Sequence, residues 1–97
     1  MNIEGIEVLQ AEPGRLTLSV AKLKGNASLA EKFQTRFAEV QGITRVEVNQ
    51  ERGEVDIHYN KEEITSLRSM WDLKDAMSTF FPEVNAMQLA AYFGQYL

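Results

Sequence analysis

The chain has one histidine, His58, and no cysteine, and these two counts bound its chemistry before any fold is considered. Without cysteine there is no thiolate nucleophile, no disulfide and no sulfur-anion metal ligand. A triad hydroxyl nucleophile is activated by an imidazole held by an acid, and with a sole histidine no serine or threonine has a plausible pair of that kind. What His58 does have is carboxylate company. Asp56 and Glu54 precede it at period-two spacing, and Glu47 comes opposite if the segment folds back as a hairpin. One imidazole among carboxylates can hold a divalent cation weakly. The same residues on a solvated strand face would only keep a sheet from aggregating. His58 and Asp56 are therefore weak metal candidates. Met70 and Met77, seven apart, could offer thioethers to cuprous copper, but methionine at helical spacing is more often core filler. Lys22 and Lys24 precede a helix whose free amides could attract an anion, yet the GxxxxGK[ST] pattern of a phosphate loop is missing. Glu62-Glu63 show no sign of burial. The sequence is read as non-catalytic and without a cofactor.

The elements that must position these residues are marked by their periodicity. Arg15 to Val20 alternates, with Leu16, Leu18 and Val20 on one face, which is the pattern of a half-buried strand. Pro13-Gly14 before it signals a turn, and the β-branched run Ile3 to Gln10 reads as a strand joined through Ala11–Gly14 as a hairpin. Gly25-Asn26 marks a loop. Ser28 and Glu31 have capping-box spacing, and Leu29, Ala30, Phe33, Phe37 and Val40 recur at helical intervals. A helix over about Leu29 to Gln41 follows, with Gly42 as its left-handed cap. Ile43 to Asn49 and Glu54 to Tyr59 both alternate around Glu51-Arg52-Gly53, which predicts a second hairpin with Val46, Val48, Val55, Ile57 and Tyr59 inward. A second helix is expected over about Ile64 to Phe80, with Leu67, Met70, Trp71, Met77, Phe80 and Phe81 as its apolar stripe and Pro82 as its stop. Asn85 to Leu97 does not alternate and is read as a helix, with a final strand as the alternative.

Strand, helix, strand, turn, strand, helix is the βαββα order of an α+β ferredoxin-like sandwich, an antiparallel sheet with helices on one face. The local residues resemble heavy-metal-associated (HMA) domains over about Val8 to Asn60. They include Pro13-Gly14-Arg15-Leu16, then Gly25 before the helix. After it come Gly42-Ile43-Thr44-Arg45-Val46-Glu47-Val48-Asn49 and Gly53-Glu54-Val55-Asp56-Ile57-His58-Tyr59. The Pro-Gly-Arg entry looks most like a divergent branch found near P-type metal ATPases. Metal-carrying members of that family hold soft cations with Cys-x-x-Cys at the loop into the first helix. Counted back from Gly42, those places are Asn26 and Leu29 here, and neither supplies a thiolate. The resemblance thus implies the fold and a metal-transport context, and argues against carriage of copper or zinc at that loop. In this fold the last strand normally lies beside the first long strand. If the tail is helical, that place falls to the N-terminal strand.

Tyr92, Phe93, Tyr96 and Leu97 bring aromatic and aliphatic groups together at the C-terminal end. They are candidates for a contact with a protein partner or a second copy, weighed against packing on their own domain. Residues 1–97 are read as a single domain, since typical domains run to about 100–150 residues. A net charge of −4 without a basic cluster, and a sheet face without stacking aromatics, argue against nucleic acid as a partner. No signal peptide or membrane-length apolar run is visible, so the expectation is a cytoplasmic protein, not inserted in a membrane, that could associate with a membrane metal transporter. Three functions are consistent with these residues. They are a non-catalytic accessory and interaction module, a weak metal binder around His58, and a regulatory domain that binds a small molecule between the sheets of a dimer.

Overall fold

The structure is a computed structural model that describes residues 5–85, 88, 91, 92 and 94–96. Four strands form one antiparallel sheet in the order β1-β2-β4-β3, with β1 Ile6–Glu12, β2 Arg15–Val20, β3 Ile43–Asn49 and β4 Glu54–Tyr59. A single 3-10 turn, Ala21–Leu23, leads from β2 toward helix α1, Ala27–Ala38. After β4 come the short α2, Lys61–Ile64, and the longer α3, Leu67–Phe80. Gln88, Ala91, Tyr92 and Gly94 are helical, so the tail is a helix rather than a strand. The edge beside β2 is filled by β1, as the sequence predicts. The predicted start of that strand at Ile3 lies outside the described residues.

The β1–β2 connection is tighter than expected. Pairing continues to Glu12 opposite Arg15, so only Pro13 and Gly14 form the turn. Proline fixes the first turn position, and Gly14 at φ 84° takes the left-handed second one, the pairing a type II turn requires. A bulge between Val8 and Gln10 then breaks the register of this edge.

Helix α1 begins two residues earlier than the capping box suggests. Asn26, not Ser28, is the N-cap, and its Oδ1 accepts from the Leu29 amide at 3.1 Å. Ser28 is exposed inside the first turn. The other end also differs. The helix closes at Ala38 through tighter bonds, Glu39 N–H to the Arg36 carbonyl and Val40 N–H to that of Phe37. Gly42 is left-handed, at φ 94°, but it serves the entry into β3 rather than capping the helix. A Cβ there would meet the Ile64 backbone at 3.0 Å, so the glycine lets β3 pass under α2.

The second predicted helix is two. Asn60 caps α2 by accepting from the Glu62 and Glu63 amides, and Thr65 Oγ1 donates back to the Lys61 and Glu62 carbonyls. Ser66 then starts α3, accepting from the Ser69 amide. A capping serine starts the helix anew, so the phase of α3 is set from Leu67 onward. The face α3 buries is Ser69, Leu73, Ala76, Met77 and Phe80. Met77, Phe80 and Phe81 are core as predicted, and Met70 is half-buried. Leu67 and Trp71 are not core: they are 75% and 57% exposed.

Both long helices cover one sheet face, with α1 packed mainly on β3. Leu16, Leu18 and Val20 of β2, and Val55, Ile57 and Tyr59 of β4, meet an aromatic cluster beneath the helices. Phe33 and Phe37 stack with ring centres 4.2 Å apart, and Phe80 tilts against Phe33 at 5.1 Å. Such pairs are worth about 0.5–1.5 kcal/mol beyond their buried area. Between the helices and the sheet this leaves an apolar void of about 30 Å³. A ligand pocket takes about 300 Å³ or more, so the void is packing slack.

Candidate functional site: the loop before α1 and the polar sheet face

The loop from Ala21 to Asn26 is held from three sides. Lys24 N–H returns to the Ala21 carbonyl, Gly25 N–H donates to Gln50, and Asn26 N–H donates to Leu23. Leu23 is fully buried and anchors the loop in the core. Lys22 crosses from this loop to the far end of α3. Its ammonium donates to the Phe80 carbonyl, pairs with Glu83 at 2.9 Å and lies 4.7 Å from the centre of the Phe81 ring. A cation at a helix C-terminus meets the negative end of the dipole and an otherwise unpaired carbonyl. The same hydrogen bond from Lys22 holds the Glu83 carboxyl below its ordinary value. Sequence reasoning sees Lys22 only as an anion attractor. Its partners lie some sixty residues on, which no local pattern reveals.

Asn26 and Leu29 sit where a soft-metal loop would need its donors. The Asn26 carbonyl oxygen is spent on the helix cap. Leu29 is half-buried against the core and has no donor atom. A soft cation wants polarisable anionic sulfur, so these residues do not fit such an ion.

On the other side of the sheet, cross-strand pairing lines the polar residues into rows. Glu12, Arg15, His58 and Arg45 make one row across β1, β2, β4 and β3; Gln10, Thr17, Asp56 and Glu47 make the next; Glu7, Ser19, Glu54 and Asn49 make the third. Of the carboxylates expected around His58, Asp56 and Glu47 lie in the next row and Glu54 one row further, while its own cross-strand neighbours are Arg15 and Arg45. The sequence does not show that each carboxylate already has an arginine. Arg15 grips Asp56 through both Nε and Nη2 at 2.9 Å, and Thr17 Oγ1 donates to the same carboxylate at 3.1 Å. Arg45 pairs with Glu47 at 2.6 Å, and Arg52 reaches Glu54 at 3.6 Å. His58 Nε2 lies 3.6 Å from Asp56 Oδ2, too far for a hydrogen bond.

The paired geometry sets the charges. Arg15 first, through its hydrogen bonds, and Thr17 more weakly hold the Asp56 carboxyl below the usual carboxylate range against the opposing effect of burial. Arg15 is correspondingly raised, first by the hydrogen bond to Asp56. A cation at His58 and Asp56 would have to displace a bidentate guanidinium, one of the stronger side-chain pairings. No group of three or more acidic, histidine or cysteine side chains is placed to hold a metal ion among the described residues.

The C-terminal candidates divide. Tyr92 is buried in its own domain's core, and Tyr96 is exposed with its ring at 66° to that of Tyr92 and centres 5.8 Å apart. Phe93 and Leu97 lie outside the described residues. No helix among the described residues is long and apolar enough to cross a membrane.

The fold and site define a class: a small α+β sandwich of ferredoxin-like plan whose pre-helix loop is closed by a lysine and an asparagine cap. Comparison with family models places it further. The model for heavy metal associated domain 2 matches residues 1–70, and the chain belongs to that family. The match takes in the whole sheet and α1. Comparison with curated proteins and with solved structures gives no match.

Proposed function

We propose that this chain is a non-catalytic accessory module of metal homeostasis that works by protein contact, without gripping a soft metal at the family's loop. The supporting observation is the state of that loop. Asn26 is committed to the cap, Leu29 to the core, and the cation nearby is the chain's own Lys22 ammonium, shared between Glu83 and a helix-end carbonyl. Family membership supports the metal context. The three arginine–carboxylate pairs weigh against the weak-metal alternative at His58 and Asp56.

Two measurements test the reading. In a titration with cuprous copper buffered by a chromophoric chelator, and separately with zinc, the backbone amides of residues 21–29 and 54–58 should hold their NMR positions at equimolar metal. Saturable shifts confined to either segment would sink it. Proximity labelling in the host cell should mark metal-transport or metal-storage proteins above an untargeted control. Labelling no different from that control would remove the accessory role even if the titration stays silent.

A further inference from the structure

Helix α3 has a second face that the fold does not use. Taking about 100° per residue, the buried residues Ser69, Leu73, Ala76, Met77 and Phe80 cluster on one side, and Trp71 points the opposite way. Around Trp71 lie Leu67, Arg68, Lys74, Asp75 and Ser78, all within about 60° of it on the helical wheel. Leu67 and Trp71 are the most exposed large apolar side chains among the described residues, at 75% and 57%. They sit one turn apart, so they form one patch rather than two isolated groups. Lys74 lays its ammonium 4.5 Å from the Trp71 ring centre. Neither Arg68 nor Asp75 has an ion-pair partner among the described residues, although other charges of the surface are paired.

We propose that this face of α3 is a two-fold contact that joins two copies of the chain. The argument is self-complementarity. A two-fold axis that sets the helices antiparallel keeps each flank on its own side and inverts height along the helix. Arg68 and Asp75 share one flank of Trp71, seven residues apart. With the axis midway between them, each Arg68 comes level with Asp75 of the other copy, giving two reciprocal ion pairs. The two Trp71 rings then meet within about 2 Å of the same height, at the centre of the contact. Lys74 is on the opposite flank, away from Arg68, and the two Lys74 of the pair stand about 8 Å apart in height there. The Lys74 stem comes near Leu67 of the second copy and covers the Trp71 edge, where long cationic side chains shield apolar surface well. Trp and Arg are also the residues most often found as anchors of protein contacts. One helix face per copy buries less than a stable interface of about 1,200 Å² needs, so the association is weak and concentration-dependent.

Trp71 is the only tryptophan, so its emission reports on this surface alone. The full chain is examined by sedimentation equilibrium and by tryptophan fluorescence over about 10 µM to about 1 mM, the range in which small interfaces assemble. The expected result is a mass that rises from 11.0 kDa toward twice that value, with a blue shift of the emission at the same midpoint. Arg68→Asp and Asp75→Arg should each raise the midpoint about tenfold or more, because two attractive pairs become repulsive. The double exchange should restore it to within about threefold, since the pair is re-formed with its signs reversed. Trp71→Ala should abolish the association, with far-UV circular dichroism showing the fold intact. A monomer at every concentration with unshifted emission overturns the proposal. So does a dimer that survives Trp71→Ala, or a double exchange that fails to rescue two weakened singles. None of these outcomes depends on whether metal binds the loop.

Discussion

Putting sulfur back at the loop before α1 tests the central reading most directly, through Asn26→Cys with Leu29→Cys. The cost can be worked from the structure. Losing the Asn26 cap to the Leu29 amide removes about 1 kcal/mol. Leu29 is only half-buried against the core, so trimming it to cysteine removes about 1 kcal/mol more. A loss of about 2 kcal/mol in a domain of this size lowers Tm by about 8–16 °C. Two thiolates one helical turn apart then make a cuprous site. Free metal at a hundredfold over its Kd returns about 2.7 kcal/mol, enough to lift the loaded variant back to the wild-type Tm. The assay is thermal unfolding of wild type and double variant, each with and without chelator-buffered cuprous copper, under reducing conditions. The expected pattern is a variant that falls and is rescued, beside a wild type that metal does not move. A wild type stabilised by copper as strongly as the variant would refute the claim that this loop lacks a grip. A folded variant that gains nothing would refute the placement of the family's two donor positions at residues 26 and 29.

The remaining predictions concern the face, the core and the crossing points of the same scaffold. Asp56→Asn should lower stability by about 1 kcal/mol at pH 7, a surface-pair magnitude because Arg15 is partly exposed. Because Asp56 is held below its ordinary value when folded, its contribution is complete above the unfolded value of about 3.9 and fades as pH falls through the lower folded one. Urea midpoints for wild type and variant should therefore converge in acid, and a gap that widens there would contradict the pairing. Phe33→Ala should cost about 3–5 kcal/mol, since Phe33 is 1% exposed and touches Phe37, Phe80 and Phe81; chemical denaturation measures it. Gly42→Ala should cost more than about 1 kcal/mol, because it combines a left-handed φ with a Cβ 3.0 Å from the Ile64 backbone. Thermal melts that place it within experimental error of wild type would show that α2 can shift to make room.

How much of this was legible in the sequence depends on whether the deciding interaction is local. Strands β2, β3 and β4 run where period-two alternation places them, because a strand's faces are set by neighbours two residues apart. The replacement of a C-terminal edge strand by β1 was also legible, since a proline–glycine turn leaves the preceding strand only one neighbour to pair with. The helix ends were less so. Ser28 and Glu31 have the right spacing for a cap, but Asn26, two residues earlier, accepts from the Leu29 amide and takes the role. Ser66, which an interior reading runs through, is a cap that starts a new helix. Leu67 and Trp71 lie across α3 from Leu73, Ala76 and Phe80, so a stripe that joins them to Met77 and Phe80 spans two faces, and one of these is outside the core. The site shows the same division: alternation puts Asp56, Glu54 and His58 on one strand face, while the arginines that neutralise the carboxylates come from β2, β3 and the hairpin turn.

The two faces of the domain then differ in a way that bears on what it can contact. On the open sheet face, Asp56, Glu47 and Glu54 are each answered by an arginine within the same chain. Charges already paired bring little new attraction to a partner, and separating them on docking would cost about what the pairs contribute. The outer face of α3 is the reverse. Its tryptophan is 57% exposed, and Arg68 and Asp75 have no ion-pair partner among the described residues. Apolar area ringed by unanswered charge is the combination that gains on association, because burial supplies the affinity and the charges select the register. If this domain acts by contact, mutations on α3 should therefore alter its associations far more than mutations in the row through Arg15, His58 and Arg45. Parallel substitution of Trp71 and of His58 by alanine, read by sedimentation, distinguishes the two faces: a larger effect from His58 would reverse the assignment.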